Sequence, residues 1–221
     1  MSDKKWERYA AFGGVLFVIL NVVAAAITGK PPAADDSAAE IAKYIADYHG
    51  ALQAAAALGG VGSVGLIWWF GSLWRRMADA EGGHPRLAVV SAIGLTLGGS
   101  LFLSSAAVAA AAGLRIDDLG EDSMIFWVLE GVLLAASGFG MATHLIATNA
   151  LAVRAKMFPM WIVAIGMLSG LGFIISAVIS VSSTSFSASI IGLVSYIAWA
   201  VWILGVSFTM WRTVDAAPAA A

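Results

Sequence analysis

The chain has no cysteine among its 221 residues and only three histidines. The absence of cysteine excludes disulfide frameworks, thiolate zinc sites, iron–sulfur clusters and cysteine nucleophiles. So few histidines disfavour a multi-histidine metal or haem centre, and we predict neither a metal site nor a cofactor. Charge is also scarce, at 12% of residues with a formal net charge of −2 and no basic tract. This charge pattern argues against a nucleic-acid-binding protein.

Apolar residues are in excess, since they make up 60% of the chain. An ordinary soluble domain is about 45–50% apolar and about 25% charged. One soluble core of this size cannot hide so much apolar surface, so the composition predicts an integral membrane protein.

Six long apolar stretches divide the chain. We place them at about 9–28, 51–74, 87–113, 124–151, 160–183 and 188–211. Each reaches the roughly 20 residues that a helix needs to cross the hydrocarbon, and none shows the alternating pattern of a barrel strand. The sequence therefore predicts an all-α, six-helix membrane bundle, folded as one transmembrane domain over residues 1–221.

Basic and acidic residues are predicted to lie on opposite sides of this bundle. Nine of the twelve lysines and arginines share one side: Lys4, Lys5, Arg8, Arg75, Arg76, Arg86, Arg154, Lys156 and Arg212. The other side carries Lys30, Lys43 and Arg115, together with eight acids: Asp35, Asp36, Glu40, Asp47, Asp117, Asp118, Glu121 and Asp122. Because basic residues beside membrane spans favour the cytoplasm, we predict a multi-pass protein of the plasma membrane with both termini cytoplasmic.

The longest outer connection, residues 29–50, contains a predicted helix of its own. Ser37 and Glu40 have capping-box spacing, and Gly50 follows the segment. Its apolar stripe consists of Ile41, Tyr44, Ile45 and Tyr48. We expect a short amphipathic helix at about 37–49 on the outer membrane face. The alternative interpretation is a lid over a pocket.

Glu130 is the most informative single residue. It lies roughly 10 Å inside the fourth span, where a carboxylate is costly unless it is paired, protonated or hydrated. The other spans place polar residues at comparable depth: Asn21, Ser104, Ser105 and Tyr196, with Gln53 nearer the outer surface. One interpretation is a buried hydrogen-bond cluster around a neutral Glu130. The other is a ligand-binding or proton-binding pocket that opens to the outside.

His144 follows Glu130 by almost four helical turns, so both side chains are predicted to face a similar direction. This places His144 in the inner half of the bundle, near Thr143, Thr148 and Asn149. A Glu130–His144 axis could relay protons, whereas a lone histidine is more often a packing residue with its hydrogen bonds satisfied.

Two pairs of glycines have the spacing of close helix contacts. Gly94 and Gly98 lie in the third span, and Gly166 and Gly170 lie in the fifth. Small residues four positions apart allow helices to approach closely in lipid. They indicate tight packing inside one bundle or, alternatively, an oligomer interface.

Three segments carry a resemblance to a known family. They are PPAADDSAAEIAKYIADYHG, ADAEGGHPRLA and ATNALAVRAKMFPMW. Together they resemble a family of small multispan membrane proteins, common in actinobacteria, that carries a domain-of-unknown-function label. The resemblance covers most of residues 31 to 212. It implies the six-span topology and brings no substrate, cofactor or catalytic residue.

Short loops and glycine-rich spans favour a non-catalytic function. We expect an accessory subunit that binds membrane lipid, a partner membrane protein or a second copy of itself. The alternative is a small proton-coupled transporter or channel in which Glu130 is the intramembrane acid. A membrane enzyme ranks last, because the sequence shows no catalytic constellation.

Overall fold

The computed structural model describes residues 3–33, 36–182 and 190–213, and every regular element in these ranges is helical. The helices are α1 (Asp3–Ile27), α2 (Ala38–Ala80), α3 (Arg86–Leu114), α4 (Ile116–Leu119), α5 (Ser123–Ala155), α6 (Met160–Ser182) and α7 (Ile190–Thr213), with a 3₁₀ turn at Gly120–Asp122. Among the described residues, six helices are long and apolar enough to cross a membrane. This confirms the all-helical prediction and suggests a multi-pass membrane protein. Asp35 of the predicted acidic side lies outside the described residues. So do position 183 of the fifth predicted span and positions 188–189 of the sixth.

Helices that follow one another along the chain pack against each other. Contacts join α1 to α2, α2 to α3, α3 to α5, α5 to α6 and α6 to α7, and α7 returns to α1 and closes the ring. Helix α2 also contacts α5 across the ring. We call one end of the bundle the basic end, where α1, α3 and α6 begin and α2, α5 and α7 finish. The opposite end, which carries α4 and the 3₁₀ turn, is the acidic end. Which end faces the cytoplasm stays a prediction.

The second helix is longer than predicted, because it does not stop at Gly50. Ser37 starts it with the predicted capping box, in which Ser37 Oγ accepts from the Glu40 N–H and Glu40 Oε2 accepts from the Ser37 N–H. The helix then continues for 43 residues. The prediction of a separate helix at 37–49 that ends at Gly50 is therefore wrong. The buried stripe continues on the same face to Leu52, and this packing outweighs the roughly 1 kcal/mol that an interior glycine costs.

The extended first part of α2 packs on protein rather than lying alone on a membrane surface. Its buried residues Ile41, Tyr44 and Ile45 form a small core with Ala109 of α3 and Trp127 of α5. A helix of 43 residues is about 65 Å long, about twice the hydrocarbon thickness of a bilayer. The first turns of α2 therefore form a cap on the acidic end, held to α4 and the 3₁₀ turn.

Glycines allow a close contact between α3 and α5. A β-carbon built on Gly94 would lie 2.6 Å from the backbone nitrogen of His144, and one on Gly98 would lie 2.7 Å from that of Met141. Gly140 of α5 faces the same two glycines. Helices can approach this closely only where side chains are absent.

The basic end is held together by two carboxylates. Glu7 of α1 lies 3.1 Å from the guanidinium of Arg76, which also donates to Thr213 Oγ1 and the Met210 carbonyl of α7. Glu81 caps α3, since its two carboxylate oxygens accept from the N–H groups of Leu87 and Ala88 at 2.9 Å each. Desolvation works to raise the pKa of Glu81, but these backbone hydrogen bonds outweigh it and hold the pKa below its ordinary value.

Candidate functional site

A fully buried, hydrogen-bonded polar cluster lies in the half of the bundle nearer the basic end. We call it the polar core cluster and define it by Ser91, His144, Thr148, Asn149 and Trp202. Ser91 Oγ lies 2.8 Å from both His144 Nδ1 and Thr148 Oγ1. Trp202 Nε1 donates to Asn149 Oδ1 at 3.1 Å. The cluster thus joins α3, α5 and α7 by side-chain hydrogen bonds.

Aromatic rings enclose the imidazole of His144. The rings of Phe70 and Trp202 meet it edge to face, with centroids 5.4 and 5.6 Å away, and Trp69 contacts Trp202 in the same manner. His144 Nε2 is buried and has no hydrogen-bond partner among the described residues. The imidazole therefore has one polar and one apolar side, and burial at 0% exposure separates it from solvent.

The sequence analysis expected Thr143, Thr148 and Asn149 near His144 in the bundle interior. The structure buries Thr148 and Asn149 but leaves Thr143 exposed, and the sequence analysis missed Ser91. Ser91 precedes Gly94 by three residues and Gly98 by seven, so all three lie on one face of α3. Because the two glycines lack side chains, this face lies close against α5, and Ser91 Oγ reaches the imidazole of His144. The helical spacing of a small polar residue with a glycine pair was the signal available in the sequence.

Glu130 lies on α5 in the other half of the bundle, partly buried. No hydrogen bond or ion pair reaches its carboxylate from any residue that the structure describes. Tyr44 of α2 is near enough for an electrostatic interaction, and its hydroxyl donates to the Thr28 carbonyl. The carboxylate thus faces the region beneath the α2 cap without a described partner.

The other residues of the predicted polar layer do not join Glu130 through hydrogen bonds. Asn21 is buried but donates to Phe17 of its own helix, at 2.9 Å. Tyr196 stacks its ring on Phe102 of α3, and Gln53 is partly buried on α2. Within the described ranges, no hydrogen bond connects Asn21, Gln53 or Tyr196 with Glu130.

The predicted Glu130–His144 axis spans two separate environments. The two residues are about 21 Å apart along α5 at 1.5 Å per residue. No hydrogen-bonded chain links them in the part of the molecule that the structure describes. His144 belongs to the polar core cluster, and Glu130 lies beneath the cap on the acidic end.

The four glycines singled out from the sequence lie inside the bundle. Gly94 and Gly98 contact α5, as described above. Gly166 faces the amide of Asn149 and the indole of Trp202, and Gly170 lies against Leu145. Gly166 therefore supports one wall of the polar core cluster, where a side chain would displace Asn149 or Trp202.

The described residues contain no group of three or more histidine and carboxylate side chains arranged to hold a metal ion. No protein-family model matches the chain, and neither a curated protein nor a solved structure matches it. The resemblance to a family of small multispan proteins stays a prediction.

Proposed function

We propose that this chain is a non-catalytic, multi-pass protein of the plasma membrane that binds a lipid or a partner membrane protein. The observation that carries the proposal is the filled interior of the half nearer the basic end. Trp69, Met77, Leu145, Trp202 and Ile203 are all at 0% exposure there. Such packing supports a binding protein over a conduit, because a transport path needs polar groups or water along its length.

The buried Ser91–His144 pair also supports a non-catalytic role. Its 2.8 Å hydrogen bond has the length that a serine nucleophile and its base would need. Both side chains are at 0% exposure, however, and Ser91 Oγ is shared with Thr148. A substrate would have to separate α3 from α5 at their closest contact to reach the hydroxyl. A structural role in holding α3 to α5 by hydrogen bonds accounts for the pair, and no catalytic role is needed.

The proposed orientation places the basic end in the cytoplasm. Arg75, Arg76, Arg86, Arg154 and Arg212 lie at this end, which suits the cytoplasmic excess of Lys and Arg beside membrane spans. Asp117, Asp118, Glu121 and Asp122 would then face the outside, together with the cap formed by the first turns of α2.

Native mass spectrometry tests the proposal directly. The protein is extracted with its surrounding membrane in polymer nanodiscs and released in the spectrometer. We expect a stoichiometric lipid or a second protein to remain attached, because binding is the proposed function. A bare monomer or a symmetric oligomer of this chain alone would contradict an accessory role with a lipid or a different partner.

A proton-coupled transporter is the second candidate, favoured by the unpartnered carboxylate of Glu130. Purified protein is reconstituted into liposomes that contain a pH-sensitive dye, and proton flux is driven by a potassium diffusion potential. Under our proposal, wild-type protein gives the same flux as protein-free liposomes. If the wild type carries protons, if Glu130→Gln abolishes the flux and if the exposed control Glu121→Gln preserves it, the transport function replaces the binding function.

A further inference from the structure

Two grooves run along α7 near the basic end, one on each side of Phe208. The first, of about 390 Å³, lies between α1 and α7, with Val15 and Leu204 at its deeper end and Trp211 at its outer end. The second, of about 380 Å³, lies between the start of α6 and the end of α7 and includes Trp161 and Arg212. Phe208 lines both grooves and is 61% exposed, so it forms the ridge between them.

The two grooves differ in chemistry. The first is lined by apolar side chains and by Ser207, a buried residue whose Oγ has no hydrogen-bond partner among the described residues. It runs from Trp211 to Leu204, about 10 Å along the helix axis. This length and lining suit part of an acyl chain.

The second groove has a cation at its rim. The guanidinium of Arg212 lies 5.3 Å from the centre of the Phe208 ring, and no ion pair reaches it from the described residues. At the end of the first groove, the guanidinium of Arg8 lies 5.8 Å from the Trp211 ring. Neither groove has a carboxylate among its described lining residues. An anionic group at this height in the bundle would therefore lie close to the guanidinium groups of Arg212 and Arg8. The outer end of the apolar first groove, at Trp211, lies at the same height.

We propose that the two grooves bind one anionic phospholipid from the leaflet at the basic end. An acyl chain lies in the first groove, the glycerol region crosses Phe208, and the phosphate pairs with Arg212, with Arg8 nearby. The site rests on the proposed binding function and names its ligand class and location. A lipid fits better than free phosphate because the first groove is apolar and its lining residues Phe12, Phe208 and Trp211 are exposed on the outside of the helix bundle. Basic pockets between transmembrane helices are a recurrent way of holding anionic headgroups.

Lipid titration by native mass spectrometry tests the charge at this site. Delipidated protein in detergent is titrated with dioleoylphosphatidylglycerol and, as the zwitterionic probe, with dioleoylphosphatidylcholine. Arg212→Gln is compared with Arg154→Gln, since each arginine is the basic residue in the last turn of its helix and Arg154 lines neither groove. We expect the phosphatidylglycerol affinity to fall about fivefold in Arg212→Gln and to change by less than about twofold in Arg154→Gln. Equal affinity of the wild type for both lipids, or equal loss in both variants, overturns the proposal.

A second pair of variants tests the apolar groove without changing charge. Val15→Phe fills the deeper end of the first groove, whereas Val22→Phe adds the same ring to an exposed position of α1 outside both grooves. Phosphatidylglycerol binding should weaken in Val15→Phe alone. Unchanged binding in Val15→Phe shows that no acyl chain occupies this groove.

Failure of this site and failure of the proposed function give different results. If the membrane-extracted wild type keeps a stoichiometric lipid or partner but Arg212→Gln binds phosphatidylglycerol as tightly as the wild type does, the binding function stands and the location at α7 is wrong. If the wild type carries nothing on extraction and does not distinguish the two lipids in the titration, both the function and the site are wrong.

Discussion

Replacing Gly98 by alanine is expected to lower the free energy of unfolding by about 1–3 kcal/mol, the usual cost of overpacking a tight contact. The added β-carbon would lie 2.7 Å from the Met141 nitrogen and 2.9 Å from the Ser137 carbonyl oxygen. Both are backbone atoms of α5, so neither can rotate away and the two helices must separate. Unfolding in detergent, followed by circular dichroism during denaturant titration, measures the change.

Gly99 supplies the matched control, one position further along the same helix. A β-carbon there has nothing within 4 Å. Gly99→Ala should leave stability unchanged or raise it by up to about 1 kcal/mol, because alanine is the better helix former. Equal stability of the Gly98→Ala and Gly99→Ala proteins would contradict the close α3–α5 contact.

The same pair of variants bears on the oligomer interpretation of Gly94 and Gly98. Both glycines face α5 of their own chain, so Gly98→Ala should lower the stability of each copy. The oligomeric mass of the folded protein should stay the same. A smaller assembly with unchanged unfolding would instead assign these glycines to an interface between copies.

Ser91→Ala is expected to destabilise the protein by about 1–2 kcal/mol. The substitution removes the hydroxyl that contacts both His144 Nδ1 and Thr148 Oγ1 at 2.8 Å. His144 Nε2 already lacks a described partner, so the buried imidazole would lose its remaining side-chain hydrogen bond. The loss should appear as a lower denaturant midpoint with an unchanged slope, since the exposed area of the unfolded chain stays the same.

The serine at position 104 of the same helix is the control, because it is exposed. Ser104→Ala should stay within about 0.5 kcal/mol of the wild type. Thr148→Val completes a double-mutant cycle with Ser91→Ala, and we expect the two losses to be less than additive because they share one hydrogen bond. Full additivity would mean that Ser91 and Thr148 do not interact.

These expectations give the two halves of the bundle different roles. Large buried side chains and the polar core cluster fix the half nearer the basic end, where Trp202 and Leu145 are at 0% exposure. The proposed lipid site along α7 lies on the outer surface of this well-packed half. The other half holds the small core beneath the cap of α2 and a partly buried Glu130 that has no hydrogen bond or ion pair from the described residues.

The sequence alone determined the number and type of the elements that are long and apolar enough to cross a membrane. Six apolar stretches of sufficient length predicted six helices, because a backbone in hydrocarbon must satisfy its own hydrogen bonds. The segregation of arginines and acids predicted two chemically different ends, and the spacing of Ser37 and Glu40 predicted the start of α2. All of these features are local, so they can be read from neighbouring residues.

Tertiary structure decided everything that depends on which helix faces which. Glycine after the apolar stripe predicts a helix end at Gly50, but packing of Ile41 and Leu52 against α3 and α5 continues α2 through it. The pairing of Ser91 with His144 joins positions 53 residues apart and requires the glycine contact between α3 and α5. The grooves beside Phe208 exist only because α1 and α6 flank α7. Apolar periodicity indicates how much of a helix is buried, but the choice of partner depends on the fit of surfaces that are distant in sequence.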